Sequence, residues 1–394
     1  MFIKFAFKFL FYYLKKLIDI LYKIYDLLLM ESKLGISKYK NINAVTCYMN
    51  STLAILQQSP LFCDYMISGQ FKKQLDDDTF THNDYNDLIS YQIHKLFRIS
   101  MTLENANLTP SSLRNACSKK DFIWGEHMQQ DSSEFLQFLV TKIEEELGKN
   151  VNILTGKRIN KQYNTLPFNE SLEAIIGTLN YFQYVKKEFS PVKTIFTGME
   201  QVKSFCSVCG IKKNNHQTFS ILQLPIPVNN GVEETDIYKC IDKWSEKEKL
   251  DNMNRLTCDF CGVKSNITRQ HSLYKPPKVL IIQLKRFKKD MYGMVCRKIT
   301  NKVNYPVLDL DINKYISNSS PHKNKHKYNL FGVNIHYELG HSGNMNFGHY
   351  VSAVKNRYDS EWYLFNDERE PIKLTNQEQL VNDKAYLLFY YRTN

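Results

Sequence analysis

Apolar side chains recur at helical spacing along the first half of the chain. Met49, Leu53 and Leu56 fall at i, i+4 and i+7, which predicts a helix starting near residue 47, and Pro60 is expected to end it. Further helices are predicted over residues 84–100, 111–119 and 132–147. This half of the chain is therefore expected to be mainly helical.

From residue 191 the pattern changes to short apolar runs separated by turns. Residues 195–205, residues 217–224 and the stretch around Arg255 are predicted to be strands. The β signal strengthens after Pro276. One sheet is predicted from residues 279–287, 302–305, 328–337, 349–355, 362–366 and 385–392. Helices followed by strands indicate an α+β fold.

Residues 1–30 stand apart from this pattern. Lys4, Lys8 and Lys15 lie on one arc of a helix whose other positions are mostly Phe, Leu, Ile and Tyr, which predicts an amphipathic helix. Its repeated charges argue against a spanning segment and against a signal peptide. The segment is expected either to lie on a membrane surface or to pack on a partner or on the domain. Residues 31–40 are predicted to link it to the domain formed by the rest of the chain.

Charge and cysteine content narrow the functional classes. The 394 residues carry a net charge of +12, which could indicate binding to nucleic acid or to an anionic membrane. The lysines are spread along the chain without an arginine-rich block, so a general compositional bias is favoured and no specific nucleic acid is expected. Nine cysteines, four of them in Cys-x-x-Cys pairs, indicate thiol chemistry in a reducing compartment. The predicted location is intracellular, cytoplasmic or nuclear, with a membrane-associated pool through residues 1–30.

Two Cys-x-x-Cys-Gly turns lie about 50 residues apart. Cys206 and Cys209 form the first pair, and Cys258 and Cys261 form the second. Four thiolates in two such turns are typical of a tetrahedral structural Zn²⁺ site. The alternatives are four ordinary cysteines or a redox dithiol, and no thioredoxin-like βαβ unit is predicted nearby to support the latter.

Cys47 and His349 are the candidate catalytic pair. Cys47 opens a predicted helix, where the helix dipole and unpaired N–H groups favour a thiolate, although such a cysteine can also be a small buried apolar residue. His349 follows Gly348 far downstream, and an Asn-Asp pair comes after it. This chain order is typical of papain-like cysteine peptidases.

These motifs, with others in the same order, give the chain a family resemblance. Residues 46–51 resemble the cysteine box of the ubiquitin-specific proteases, and residues 348–350 with 365–367 resemble their histidine box. Further matching segments are residues 129–136, 277–287 and 385–390. The resemblance implies a papain-like fold with a helical thumb (about 40–190), zinc-ribbon fingers (about 191–275) and a palm (about 276–394).

The resemblance also implies an activity. A thiol isopeptidase of this family removes ubiquitin from proteins by hydrolysing the bond after its C-terminal glycine. Cys47 would be the nucleophile and His349 the general base and acid, with ubiquitin and ubiquitinated proteins as partners. A catalytically impaired ubiquitin-binding scaffold of the same fold is the second hypothesis.

Two residues compete for the third catalytic position. Asn366 takes the family position by its spacing from His349, and Asp367 is next to it. Neighbouring side chains on a strand point to opposite faces, so both can reach the imidazole only if the strand ends there. We expect both to matter.

The loop before Cys47 departs from the family pattern. The family usually has Asn five residues before the cysteine and Gly three before it, where this chain has Ile42 and Ala44. Either Asn43 supplies the oxyanion donor from a shifted loop, or backbone N–H groups do.

Three polar residues match the box that binds the arginines of ubiquitin's C-terminal tail. They are Gln129, Asp131 and Glu134, and the last two also form a capping box for the helix over residues 132–147. Both roles can hold together if the cap leaves one carboxylate oxygen available. The candidate walls of the narrow channel over Cys47 are Tyr350, Trp124 and Phe347.

Overall fold

The protein is described by a computed structural model in which helices fill the first half of the chain and strands the second. It describes residues 33–76, 85–151, 168–186, 188–228, 234–289, 295–323, 326–338 and 348–393. The amphipathic helix predicted over residues 1–30 lies outside this range. Within the described ranges, no helix has the length and apolar character needed to cross a bilayer.

Helix α1 is the centre of the thumb. All ten of its residues are buried, including polar Asn50 and Thr52, so the helix is enclosed on every side and not only along the predicted apolar face. Helix α6 and a palm strand pack against it. The helices are α1 (Cys47–Leu56), α2 (Pro60–Ser68), α3 (Phe71–Asp76), α4 (Ile89–Thr102), α5 (Ser111–Lys120), α6 (Ser132–Leu147), α7 (Phe168–Lys186), α8 (Pro191–Phe196) and α9 (Ile237–Ser245).

Pro60 begins a helix and does not end one. Helix α1 stops at Leu56, and Pro60 occupies the first turn of α2 after Ser59. Proline is favoured at this position because its fixed φ suits the helix and its missing N–H would have no intrahelical partner there. The prediction that Pro60 ends α1 is therefore wrong, because the helix ends at Leu56, before the proline.

The palm is one large sheet that places the histidine strand against helix α1. Seven of its strands form a continuous order, antiparallel except for the last pair. In that order they are Ile372–Lys373, Trp362–Phe365, Gly348–Lys355, Lys327–Glu338, Ala385–Arg392, Val279–Lys285 and Ile221–Pro225, with Leu310–Asp311 pairing on the side.

Alternation along the palm strands divides the interior into two cores. On Val279–Lys285, Ile281 packs into the core shared with the thumb helices, whereas its neighbours Leu280 and Ile282 face the second core, covered partly by α9. Side chains two residues apart share a face of a strand, so one strand contributes to both cores. The palm therefore supports the thumb from behind.

The structure corrects two strand predictions and one boundary between regions. Residues 302–305 were expected in the palm sheet, but Lys302–Asn304 pairs in parallel with Glu234–Asp236 in a separate two-stranded sheet. Residues 195–205 begin with the end of α8, and the strand starts only at Gly198. Ile221–Pro225, although within the range given to the fingers, is the edge strand of the palm.

The fingers are a four-stranded antiparallel sheet. In order across the sheet its strands are Lys212–Phe219, Gly198–Cys206, Ile267–Lys275 and Glu248–Leu250. A short hairpin at the tip, Leu256–Thr257 with Lys264–Ser265, carries the second cysteine pair. The remaining small pairs are Lys38–Tyr39 with Asn107–Leu108, and Phe287–Lys289 with Val295–Lys298.

Candidate active site and cysteine cluster

Cys47 is the first residue of α1 and is almost completely enclosed, with 1% of its surface exposed. Burial raises the pKa of its thiol to about 11, and the negative charge of Asp367 acts in the same direction. Hydrogen bonds from the backbone N–H groups of Tyr350 and Tyr48 oppose this rise. The thiol of Cys47 is therefore protonated at rest, and its sulfur already has backbone donors around it.

The loop before Cys47 is held in a strained conformation. Asn43 and Ala44 have φ values of 54° and 57°, in the left-handed region that favours glycine. Asn41 braces the loop, because its Oδ1 accepts the Thr46 backbone N–H at 2.8 Å. Ala44 thus has a left-handed φ at the position where the ubiquitin-specific proteases usually have glycine.

His349 is oriented by Asn366. Its Nε2 lies 2.7 Å from Asn366 Oδ1, which can only accept, so Nε2 carries the proton and donates. This arrangement leaves Nδ1 as the basic nitrogen of the neutral ring. Asn366 therefore fixes the tautomer that a general base requires.

Asp367 also reaches the imidazole, because the strand ends before it. The strand stops at Phe365, and Asp367 has a left-handed φ of 51°, which removes the alternation that would have turned it away. Its Oδ2 lies 3.9 Å from His349 Nε2. The same carboxylate accepts hydrogen bonds from Asn41 Nδ2 at 2.7 Å and from Asn50 Nδ2 at 2.8 Å. Asp367 thus joins the loop, helix α1 and the histidine.

The pKa of Asp367 reflects opposing influences. Burial raises it, while the hydrogen bonds from Asn50 and Asn41 and the proximity of His349 lower it. Sequence reasoning identified the carboxylate but missed Asn50. Its position could have indicated this contact, because Asn50 lies three residues after Cys47 and therefore about one helical turn further along α1.

Asn43 lies away from this hydrogen-bond network. Its Nδ2 contacts His127 Nδ1 at 2.8 Å in an exposed position. Asn41, on the other side of Ile42, is the asparagine that contacts the network. The sequence left open a shifted loop in which Asn43 would take the family position. In the structure Asn41, and not Asn43, lies beside Asp367.

Asp131 is buried, and both of its carboxylate oxygens are engaged. Oδ1 caps α6 by accepting from the N–H groups of Ser133 and Glu134 at 2.7 and 3.0 Å. Oδ2 accepts from the hydroxyls of Tyr386 at 2.7 Å and Tyr350 at 3.3 Å. Asp131 therefore caps α6 as predicted. Its second oxygen, which was expected from the sequence to be available to bind the ubiquitin tail, is already bonded to the two tyrosines.

Gln129 and Glu134 have different surroundings. Gln129 Oε1 accepts the backbone N–H of Gly348 at 3.1 Å, so it contacts the residue before His349. Glu134 is exposed on the first turn of α6. Glu134 is therefore the more accessible carboxylate of the predicted box.

A cavity of about 640 Å³ lies between α6 and the palm sheet, and it includes both carboxylates. Trp124 was expected on a channel wall, but its ring is buried in the thumb core, 5.2 Å from the ring of Phe135. Phe347 lies outside the described residues. The cavity is lined by Asp131, Ser133, Glu134, Gln137, Ile221, Gln223, Gln283, Lys285, Arg286, Phe287 and Tyr386.

The four paired cysteines converge at the tip of the fingers. The sulfurs of Cys206, Cys209, Cys258 and Cys261 all lie within 4.8 Å of one another, and those of Cys209 and Cys258 are 3.8 Å apart. A tetrahedral Zn²⁺ site with bonds of about 2.3 Å places its sulfurs about 3.8 Å apart. The cluster could therefore hold a metal ion.

The two cysteine turns have the same backbone. Gly210 and Gly262 adopt φ values of 71° and 69°, and their N–H groups donate to the carbonyls of Cys206 and Cys258. Only glycine adopts this conformation without strain. The repeated geometry explains why both sequence turns end in glycine.

Comparison with known proteins places this geometry in a family. Ubiquitin carboxyl-terminal hydrolase 2 of Gallus gallus is 30% identical over 287 residues, covering 73% of this chain and 74% of the relative. Usp2 of Drosophila melanogaster is 27% identical over 363 residues, covering 92% of this chain and 35% of its own length. The corresponding Bos taurus protein is 27% identical over 365 residues, covering 93% and 56%. The chain thus spans about a third to a half of the last two relatives.

Solved structures share the fold. The Ubp8 chain of a SAGA Ubp8/Sgf11/Sus1/Sgf73 DUB module bound to ubiquitin aldehyde superposes with a TM-score of 0.66 at 24% identity, covering 93% of this chain and 71% of that chain. A yeast SAGA DUB module gives a TM-score of 0.65 at 24% identity, covering 93% and 70%. These likenesses confirm the α+β papain-like architecture with thumb, palm and fingers. The family model described as ubiquitin carboxyl-terminal hydrolase matches residues 38–390, and the chain therefore belongs to that family.

Proposed function

We propose that this protein is a thiol-dependent deubiquitinase that hydrolyses the bond after the C-terminal glycine of ubiquitin. Cys47 is the nucleophile and His349 the general base and acid. The observation that carries the proposal is the hydrogen bond from His349 Nε2 to Asn366 Oδ1 at 2.7 Å, on the strand packed against the helix that begins with Cys47. The family to which the chain belongs supports the same reaction.

The proton on Cys47 leaves during the attack on the substrate. With a pKa of about 11, few resting molecules carry a thiolate at neutral pH, so Nδ1 of His349 takes the proton as sulfur bonds to the carbonyl carbon. His349 then gives that proton to the departing amine. Water hydrolyses the resulting thioester by the same route in reverse. Asn366 holds the ring in the correct tautomer, and Asp367 supplies the charge that stabilises the imidazolium.

The contacts of the loop before Cys47 favour one of the two candidate oxyanion donors. Asn43 was one sequence candidate, but its amide is bonded to His127. This contact supports the alternative that backbone N–H groups at the start of α1, already directed at the Cys47 sulfur, hold the oxyanion. The amide of Asn41 instead supports Asp367.

The 640 Å³ cavity is the proposed channel for ubiquitin's basic tail. Exposed Glu134 provides negative charge at its edge, and buried Asp131 holds Tyr350 and Tyr386 in place through its second oxygen. Gln129 fixes Gly348 beside the histidine. In this division Glu134 contacts the tail, while Asp131 shapes the wall.

The test is reaction with ubiquitin carrying a C-terminal vinyl sulfone. The proposal expects one covalent ubiquitin per chain, measured by intact-mass spectrometry, because the electrophile traps a productive thiolate. The enclosed thiol with a raised pKa favours the second candidate, an impaired ubiquitin-binding scaffold. A chain that binds ubiquitin in calorimetry but forms no adduct would establish the scaffold instead.

The cysteine cluster is proposed to hold one structural Zn²⁺. Beyond the sulfurs, the tip core contains little else: the buried cluster there consists of Cys206, Leu250, Cys258 and Ile267. We expect one zinc per chain by elemental analysis, and we expect Cys258→Ala to lose the metal and open the fingers to proteolysis, because so small a core cannot fold alone.

The matched control for this experiment is Cys240→Ala. Cys240 is also buried but lies in α9, away from the cluster. It should retain zinc and resist protease in the fingers. Absence of metal from freshly purified, reduced protein would contradict the zinc assignment.

The intracellular location of the protein is a prediction from its sequence. The contact of residues 1–30 with a membrane surface or a partner is a prediction as well. The family match begins after this segment, at residue 38, and the first motif begins at residue 46. The chemistry proposed above uses none of its residues.

A further inference from the structure

A second cavity, of about 460 Å³, lies where all three regions of the fold meet. Its walls come from α7 and α8, from the connection between the fingers and the palm, from the segment before the long palm strand, and from the end of the last strand. It shares no lining residue with the 640 Å³ cavity. The lining residues are Tyr181, Thr194, Lys275, Pro276, Lys278, His322, His326 and Arg392.

The lining of this cavity is basic and contains no carboxylate. Lys275, Lys278 and Arg392 are its three cations, and in the described part of the chain none of them forms a salt bridge. The Lys275 ammonium lies over the Tyr181 ring at 4.3 Å, and Arg392 Nη1 lies 3.5 Å from His326 Nδ1.

The backbone holds the cations in place. The Arg392 N–H donates to the carbonyl of Lys278 at 2.9 Å, and the Lys278 N–H donates to the carbonyl of Ile195 at 3.0 Å. The backbones that carry Lys278 and Arg392 are therefore fixed to each other and to the end of α8. A fixed backbone lowers the cost of ordering these residues when a ligand binds.

Burial and neighbouring positive charges both lower pKa values in this cavity. Burial, then Arg392 and Lys278, lowers the pKa of Lys275 to about 8. Burial, then Lys275, His326 and Arg392, lowers the pKa of His322 to about 4. At neutral pH Lys275 is therefore mostly protonated, and His322 is neutral.

We propose that this cavity binds a small free anion bearing two or more phosphate groups. An arginine fork and lysine ammonium groups are the usual protein partners of phosphate oxygens, and the hydroxyl of Tyr181 adds a neutral donor. A volume of about 460 Å³ falls in the range of small-molecule sites, which favours a free ligand over a protein segment. The bound anion would join thumb, fingers and palm at their common junction.

The experiment is calorimetric titration of the 394-residue chain with tripolyphosphate and with inorganic phosphate, at constant ionic strength and pH 7.5. We expect one tripolyphosphate site that binds more tightly than inorganic phosphate. Lys278→Gln and Arg392→Gln should each weaken it about tenfold, the worth of one hydrogen bond to a charged group. Without ligand, the double variant should melt no lower than wild type, because its removal of like charges relieves repulsion.

Lys212→Gln is the matched control, since it removes the same charge from an exposed position on the fingers. It should leave the affinity unchanged. Equal binding by the double variant and wild type, or equal weakening by Lys212→Gln, would overturn the proposal. A phosphoserine peptide that binds more tightly than tripolyphosphate would overturn the assignment to a free small molecule.

Discussion

Cys47→Ala is expected to abolish release of a fluorophore from the C-terminus of ubiquitin while leaving ubiquitin binding intact. The substitution removes the only sulfur in the proposed hydrogen-bond network, and loss of a nucleophile costs roughly 10⁶-fold in kcat in a well-studied protease. The proposed tail cavity does not include residue 47, so affinity should persist. The measurements are steady-state kinetics and calorimetry with ubiquitin.

The control for this variant is Cys63→Ala. Cys63 is also fully buried in the thumb, on α2, so its loss creates a similar small cavity without touching His349. It should keep nearly wild-type kcat. Substantial activity in Cys47→Ala would reject the mechanism, and equal inactivity of both variants would point to misfolding.

Asp367→Ala is expected to lower kcat by roughly 10²–10³-fold, at least as much as Asn366→Ala. Asn366 makes one hydrogen bond to the ring, whereas Asp367 faces the ring and also holds Asn41 and Asn50. Its loss removes the charge behind the imidazolium and releases the strained loop before Cys47. Kinetics of both variants on a ubiquitin substrate, with circular dichroism to check folding, measure the difference.

A second readout separates electrostatics from simple structural support. The charge of Asp367 raises the pKa of Cys47, so Asp367→Asn should shift the pH dependence of iodoacetamide alkylation of Cys47 to lower pH. Glu368→Gln is the comparison, because Glu368 accepts the Asn41 backbone N–H at 3.0 Å and is not among the causes of the Cys47 shift. A folded Asp367→Ala enzyme of near wild-type rate beside an inactive Asn366→Ala would leave Asn366 as the sole third member.

The parts of the fold that were predictable are those set by local pattern. Helix α6 has the predicted bounds of 132–147, because its cap and its apolar spacing both lie within the segment. The four cysteines of the fingers were also identified, since each turn encodes its own glycine. The order of motifs was enough to assign the fold class.

What could not be predicted depends on distant contacts. Parallel pairing of Lys302–Asn304 with Glu234–Asp236 joins segments about 70 residues apart that no local pattern relates. The second oxygen of Asp131 finds Tyr386 more than 250 residues away. The basic cavity draws Lys275 and Arg392 from different strands, so no block of charge marks it in the sequence.

The enclosed, protonated thiol of Cys47 also bears on how the protein withstands oxidants. Hydrogen peroxide attacks thiolates, and sulfenic acid forms fastest at exposed cysteines of low pKa. A thiol with 1% exposure and a pKa of about 11 offers neither condition at rest. We therefore expect the sulfur of the idle protein to stay reduced when hydrogen peroxide is added. It should become vulnerable mainly during turnover, when His349 removes the proton in the proposed mechanism.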